Sequence, residues 1–330
     1  MRAVSRWLTT SVIFGALLQN IIAQALEPVW KAGFDSATEH IARGEFAAAE
    51  ALLKNALELA RVLGPNSIPT GSTLNSLGVV YQHLARPAQA EHCYRRALAI
   101  WEGTPGADGL GLVRILDNLS RLYIESGRVG DAERMLRRAL ATPLEATPQS
   151  DFVLAKTHEY LFIVSFMRRD YADAEAHSEK TLELCERSLG SRHPETAIAW
   201  NDRGVLEIAT GRYAEGIAHL AGSLQLLEDA LTAHHPGLVR VLANLAWAYS
   251  RAQQPEQAEP LLQRALQIAE VSFGPTDIRT AEVLSKYADV LRNLDRKTEA
   301  RHLQKRLKAI SSRKARGNPM RLAIDVGDLR

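Results

Sequence analysis

Three columns of small residues recur along this chain at a single spacing. The residue that follows a leucine in a Leu-small-x-x-Tyr pattern falls at Gly78, Ser120, Phe162, Gly204, Ala246 and Ala288, each 42 residues after the last. A second column stands twelve residues further on, at Ala90, Ala132, Ala174, Gly216, Ala258 and Ala300. A third stands seven beyond that, at Ala97, Ala139, Thr181, Ser223, Ala265 and Leu307. An earlier stretch, Ala37 to Ala60, carries Gly44, Ala49, Leu53 and Ala56 in the same relation but displaced by one residue, which makes seven units. A unit of this size cannot bury its apolar face alone, so the chain must stack its units along one direction.

Within each unit the apolar positions follow a helical period. Ala, Leu, Glu, Gln and Arg dominate, while aromatic residues make up only 6% of the chain, a mixture that favours helix over strand. The sixth unit shows the plan: a first helix from Leu242 to Ala252, a turn at Gln253-Gln254-Pro255, and a second helix from Glu256 to Val271. Pro260 is then expected in the first turn of the second helix, where its missing N–H has little to lose. Turns such as Ser126-Gly127-Arg128 and Thr210-Gly211-Arg212 are too short for anything but antiparallel helix pairs. The small columns mark where two helices approach closely, with Tyr81, Tyr123 and Tyr249 filling the space beside them.

The order Leu, small residue, Tyr, turn Gly, Ala, large apolar residue, Ala resembles the tetratricopeptide repeat, and Trp200 stands where that motif has its Trp. The 42-residue period, "RHPE" and "HHPG" at the junctions, and "QAEPLLQRALQIAE" resemble the longer repeats of the kinesin light chain type found in bacteria. The resemblance implies an all-α, right-handed solenoid of about seven stacked helix-turn-helix repeats. We expect the solenoid over 37–310, with repeats at approximately 30–63, 71–104, 113–146, 155–188, 197–230, 239–272 and 281–310. A linker over 26–36 precedes it, and a basic tail over 311–330 follows.

The first residues hold Arg2 and Arg6, an uncharged apolar run from Trp7 to Leu18, and a small-x-small site at Ala23-Gln24-Ala25. They read as a Sec-type signal peptide, residues 1–25, cut after Ala25, which sends the chain to the periplasm or outside a bacterial cell. The rival reading is an uncleaved membrane anchor. The formal charge is +2 for the whole chain and near neutral without Arg2 and Arg6, which gives no support to a nucleic-acid partner. The two cysteines, Cys93 and Cys185, read as buried free thiols.

The fourth and fifth units break the pattern. Phe162 occupies a small column, Ser165 and Glu207 replace Tyr, and Arg203 replaces Leu. Either the helices repack around Phe162 with Arg203 and Glu207 paired at i,i+4, or a polar seam interrupts the stack. No His-Glu-x-x-His, Gly-rich phosphate loop, Cys-x-x-Cys or Gly-x-Ser-x-Gly is present, so no enzyme, cofactor or metal site is expected. His193, His234 and His235 are assigned to caps or solvent.

What the resemblance implies instead is a scaffold that holds a protein or peptide in a concave groove lined by the first helix of every repeat. Its candidate residues are Asn75, Arg114, Arg121, Lys156, Asn201, Arg240, Trp247 and Arg251, with Trp247 the one large aromatic of that stripe. The alternative is a structural protein that self-associates or is tethered through its N-terminal helix.

Overall fold

The computed structural model describes residues 24–314, with side chains to 310, and among these it holds fourteen helices and no strand. The apolar N-terminal run of residues 1–23 and the tail of 315–330 lie outside the described residues. The helices come in seven antiparallel pairs: α1 (24–42) with α2 (Phe46–Leu63), α3 (Ile68–His83) with α4 (Pro87–Gly103), and α5 (Gly109–Glu125) with α6 (Val129–Leu140). Then follow α7 (Pro148–Met167) with α8 (Tyr171–Leu189), α9 (Pro194–Ala209) with α10 (Tyr213–Ala230), α11 (Leu238–Arg251) with α12 (Pro255–Phe273), and α13 (Ile278–Asn293) with α14 (Lys297–Lys314). The fold is an all-α repeat solenoid. Among the described residues no helix is long and apolar enough to cross a membrane.

Contacts divide the chain into two compact units, Met1–Tyr123 with Gly130–Leu144, and Ile124–Val129 with Glu145–Arg330. In the first unit, the small columns admit aromatic rings. A methyl group on Gly78 would stand 2.4 Å from the Tyr94 ring, and Trp101 is seated against Gly71 and Gly111 with its Nε1 donating to the Asp108 carbonyl at 3.0 Å. The side chain at the Gly78 crossing is therefore Tyr94, from the second helix of the pair. In the second unit, α9 and α10 touch backbone to backbone. A methyl on Gly204 would lie 2.9 Å from the Gly216 carbonyl, and one on Gly216 would lie 2.8 Å from that of Gly204.

Every first helix ends the same way. Residues 44, 85, 127, 169, 211, 253 and 295 all have positive φ, although only Gly44, Gly127 and Gly211 are glycines. Ala85, Arg169, Gln253 and Asp295 adopt the left-handed conformation as well, with φ between 56° and 61°. The following N–H reaches back to the helix, as in Arg86 to the Tyr81 carbonyl at 2.8 Å and Gln254 to that of Tyr249 at 2.9 Å, a closure of the Schellman type. Three junctions between pairs share another device. Thr70, Thr196 and Thr280, all buried, donate to the carbonyls of Gly64, Gly190 and Gly274 at 2.7, 2.8 and 2.8 Å.

Arginines stitch successive second helices together. Arg86 meets Glu50 at 3.1 Å and Arg212 meets Glu175 at 2.9 Å, and Arg296 pairs with Glu259 in the equivalent place. A second row joins Arg138 to Glu102, Arg264 to Glu228 and Arg306 to Glu270. These pairs lie near solvent, which screens them, so they fix register more than they hold the stack. The stack itself rests on buried apolar columns such as Leu53, Leu136, Leu220 and Leu262, all fully buried.

The helix boundaries differ from the sequence expectation in one informative place. Helix α12 begins at Pro255, so Pro260 is its sixth residue and lies inside the helix. Its missing N–H deprives the Glu256 carbonyl of its intrahelical partner, a cost that a first-turn position would have avoided. The Arg203–Glu207 pair expected across one turn is present at 2.9 Å.

Candidate functional site

The layer of first helices was expected to hold the functional stripe. In the second unit α11 lies against both α9 and α13, so these three present neighbouring faces. Arg240, Trp247 and Arg251 are separated by seven and four residues and share one face of α11. At about 1.5 Å of rise per residue they form a line of about 16 Å. Helix α11 carries no acidic residue. Trp247 is half-buried, packed by part of its ring on the core of the unit. Arg251 is exposed and makes no ion pair among the described residues. Arg240 is also exposed, with Asp202 Oδ1 at 3.8 Å.

Asn201 has a different place. It is buried, its Oδ1 accepts from Asn244 Nδ2 at 3.0 Å, and its Nδ2 donates to Asp202 Oδ1 at 2.9 Å. Lys286 Nζ then donates to Asn244 Oδ1 at 3.3 Å. The result is a polar ladder across α9, α11 and α13 in which the Asn201 amide is already occupied. Burial pushes the Asp202 carboxyl up to about 6, against the opposing pull of the Arg240 charge. Lys156, on α7, bonds Glu159 at 2.9 Å and also Glu195. Burial works against its charge, but the two carboxylates outweigh it and hold the ammonium above its ordinary value.

The first unit repeats the ladder on a smaller scale. Asn118 Nδ2 donates to Asn75 Oδ1 at 3.0 Å, and Arg121 Nη2 donates to Gln82 Oε1 at 3.1 Å, which also accepts from the Tyr94 hydroxyl at 3.1 Å. Arg114 is exposed on α5 and unpaired among the described residues. Of the eight candidate residues, then, Arg240, Trp247 and Arg251 come together on one exposed face, Arg114 is free in the other unit, and Asn75, Arg121, Lys156 and Asn201 are engaged by neighbouring side chains. Sequence reading did not pick out Asn118, Asn244 or Lys286. The signal was present: Asn75 and Asn118, like Asn201 and Asn244, are 43 residues apart, one more than the repeat.

Among the described residues no three His, Cys, Asp or Glu side chains stand where they could hold one metal ion. Cys93 and Cys185 are buried and free, and burial pushes both thiols up to about 11, so they stay protonated and weakly nucleophilic.

Comparison with known proteins gives a consistent picture. A family profile described as tetratricopeptide repeat matches residues 37–102, 71–143, 155–212, 195–270 and 250–313. The chain is similar to Tetratricopeptide repeat protein 19, mitochondrial, of Mus musculus, with 26% identity over 111 residues, 34% of this chain and 30% of that protein. The match thus spans less than a third of that relative's length. Among solved structures, BtubC (BKLC) from P. vanneervenii superposes with a TM-score of 0.57 at 23% identity, covering 68% of this chain and 91% of that one. The apo form of the quorum sensor NprR from B. thuringiensis superposes with a TM-score of 0.69 at 15% identity, covering 93% and 85%. Both likenesses show fold alone.

Proposed function

The chain belongs to the tetratricopeptide repeat family, and from that premise we propose that it is a non-catalytic scaffold holding a protein or peptide segment along its first helices. The observation that carries this reading is the α11 face: a half-buried tryptophan between two exposed arginines on a helix without acids. A large aromatic that is partly anchored loses little freedom when a partner covers it, and truncation of such a residue costs about 2–4 kcal/mol of binding. Arg240 and Arg251 supply fixed positive charge at its two ends and steer approach. Arg114 is the corresponding contact in the first unit. Asn201 serves this face by holding α9 and α11 in register, while Asn75 and Arg121 tie α3 to α5 and Lys156 ties α7 to α9. The 42-residue period supports placing the repeats with the kinesin light chain type. The charged, apolar and small-x-small order of residues 1–25 supports export to the periplasm, with cleavage after Ala25.

The test is site-specific photocrosslinking in cells that make the protein, with the crosslinker at position 247 or 251 and, as control, at Val271, which is 88% exposed on a second helix. Defined adducts from 247 and 251 that are absent at 271, and lost from position 251 when Trp247→Ala is introduced, are expected. The same adducts from all three positions would overturn the assignment of the face.

A further inference from the structure

The fourth and fifth repeats depart from the others at one particular contact. The position of Leu74, Leu116, Leu242 and Leu284 on the first helix corresponds to Cys93, Met135, Leu261 and Leu303 on the second, always nineteen residues later. In the fourth repeat the same two positions are His158 and His177, and in the fifth they are Trp200 and His219. Two apolar pairs of positions have thus been exchanged for pairs that carry histidine inside the second unit.

The geometry of the two exchanges differs. His158 Nδ1 and His177 Nδ1 stand 2.9 Å apart, their rings 5.1 Å between centroids. At that distance one ring donates Nδ1–H and the other accepts, so the pair has room for a single proton between the two nitrogens. Around it, Asp173 Oδ2 lies 3.7 Å from His177 Nε2 and accepts from the Ser165 hydroxyl at 2.5 Å. Lys180 and Glu183, also on α8, act on His158 with opposite signs. A His177 ring that carries both protons can point Nε2–H at Asp173 and Nδ1–H at His158. A second proton between the two Nδ1 atoms would set two N–H groups against each other. His219 sits instead 2.5 Å from Glu207 Oε2, itself held by Arg203. On the far side of α8, Glu175 and Glu179 face Arg203 and Arg212.

We propose that the α7–α8 pair is an acid-labile joint in the solenoid: entry of a second proton into the His158–His177 contact parts these two helices while repeats with leucine at both positions stay closed. Burial, followed by the charge on His177 and then Lys180, pushes His158 down to about 4, so the neutral ring is the one that fits the closed pair. A base with a lowered folded-state pKa contributes stability in full above its ordinary value near 6.5, and that stability is lost as pH falls toward 4. Asp202 works in the opposite direction over part of the same range, since its raised carboxyl favours the folded chain at low pH. A global melt sums the two, so the joint must be read locally.

Hydrogen exchange resolved by segment, corrected for the intrinsic pH dependence, provides that reading. Between pH 7 and pH 4.5, exchange over α7 and α8 should rise about tenfold relative to α11 and α12, and the doubly substituted His158→Leu, His177→Leu chain, which copies Leu242 and Leu261, should lose that rise. No relative rise in the unsubstituted chain, or an equal rise in the double variant, overturns the proposal. Ring ¹⁵N shifts of the unsubstituted chain give a reading that does not depend on the variant folding. Two coupled steps with the second below pH 5 support the joint, and two independent titrations near 6.5 refute it.

Discussion

Adding one methyl group should stabilise this protein at one glycine and destabilise it at another, although both lie within helices. At Gly33 in α1 an added Cβ meets nothing within 4 Å. Gly33→Ala therefore gains only the helix propensity difference, about 0.8–1 kcal/mol. At Gly216 in α10 the same Cβ would fall 2.7 Å from two Ile208 side-chain carbons and 2.8 Å from the Gly204 carbonyl oxygen. Ile208 can turn aside, but the backbone oxygen cannot, so α9 and α10 must separate at the crossing. Overpacking of this kind costs about 1–3 kcal/mol. Set against the propensity gain, Gly216→Ala is left with a net loss of up to about 2 kcal/mol. Since about 1.4 kcal/mol corresponds to a factor of ten in an equilibrium, protection of α9 and α10 amides should fall by up to about thirtyfold, while α1 amides in Gly33→Ala gain up to about fivefold. Segment-resolved exchange at neutral pH measures both. If Gly216→Ala raises protection in α9 and α10 as Gly33→Ala does in α1, the close backbone approach is not what selects glycine at position 216.

Other expectations follow from the same geometry. Gln253→Gly should raise stability by about 1 kcal/mol in a urea titration, because φ at 253 is 60° and a non-glycine residue bears a cost there. Asn244→Ala leaves the buried Asn201 Oδ1 without its donor and should cost about 1–3 kcal/mol, whereas the double change Asn201→Leu, Asn244→Leu should cost less than the sum of the two single changes; additive losses would refute a shared ladder. Asp202 has a raised carboxyl, so its contribution is complete below pH 4 and is lost as pH rises through about 6; the stability of Asp202→Asn relative to the unsubstituted chain should improve over that window by about 2 kcal/mol, and a constant difference would count against it. Thr147→Ala removes the capping box that joins Thr147 and Ser150 at the start of α7 and should destabilise the fourth repeat by about 0.5–2 kcal/mol, visible as faster exchange in the first turn of that helix.

Much of the fold was legible because it depends on spacing. The columns at Gly78, Ala90 and Ala97, with their copies every 42 residues, name the positions where helices cross, and the structure puts Ala90, Ala97, Ala132 and Ala258 in the core with no exposed surface. The glycines of Gly127 and Gly211 mark two turns, and the same register carries the left-handed conformation to Ala85, Arg169, Gln253 and Asp295, where residue type gives no sign of it. Those residues are held there by the helices on either side, since the antiparallel return is fixed by packing and the turn must comply. The start of α12 was misplaced for a related reason: Pro255 tolerates the first helical position, but only the observed capping geometry shows that the helix begins there.

The candidate stripe was legible in part. Helical periodicity places Arg240, Trp247 and Arg251 on one face, and that follows from sequence because it is a property of a single helix. Whether a polar side chain on such a face is free depends on the neighbouring helix, and no spacing within one helix reveals it. Asn201 and Arg240 are both polar residues on the first-helix layer, yet Asn201 is spent on Asn244 and Asp202 while Arg240 stands in solvent. The exchange of leucine for His158 and His177 was likewise written in the sequence, but the 2.9 Å between their nitrogens was not. The sequence by itself determined the repeat, its helices and the columns at which they cross, because these rest on period and side-chain volume. The tertiary structure decided which of the polar groups remain available, because a hydrogen bond or a burial cost exists only once two helices have been brought side by side.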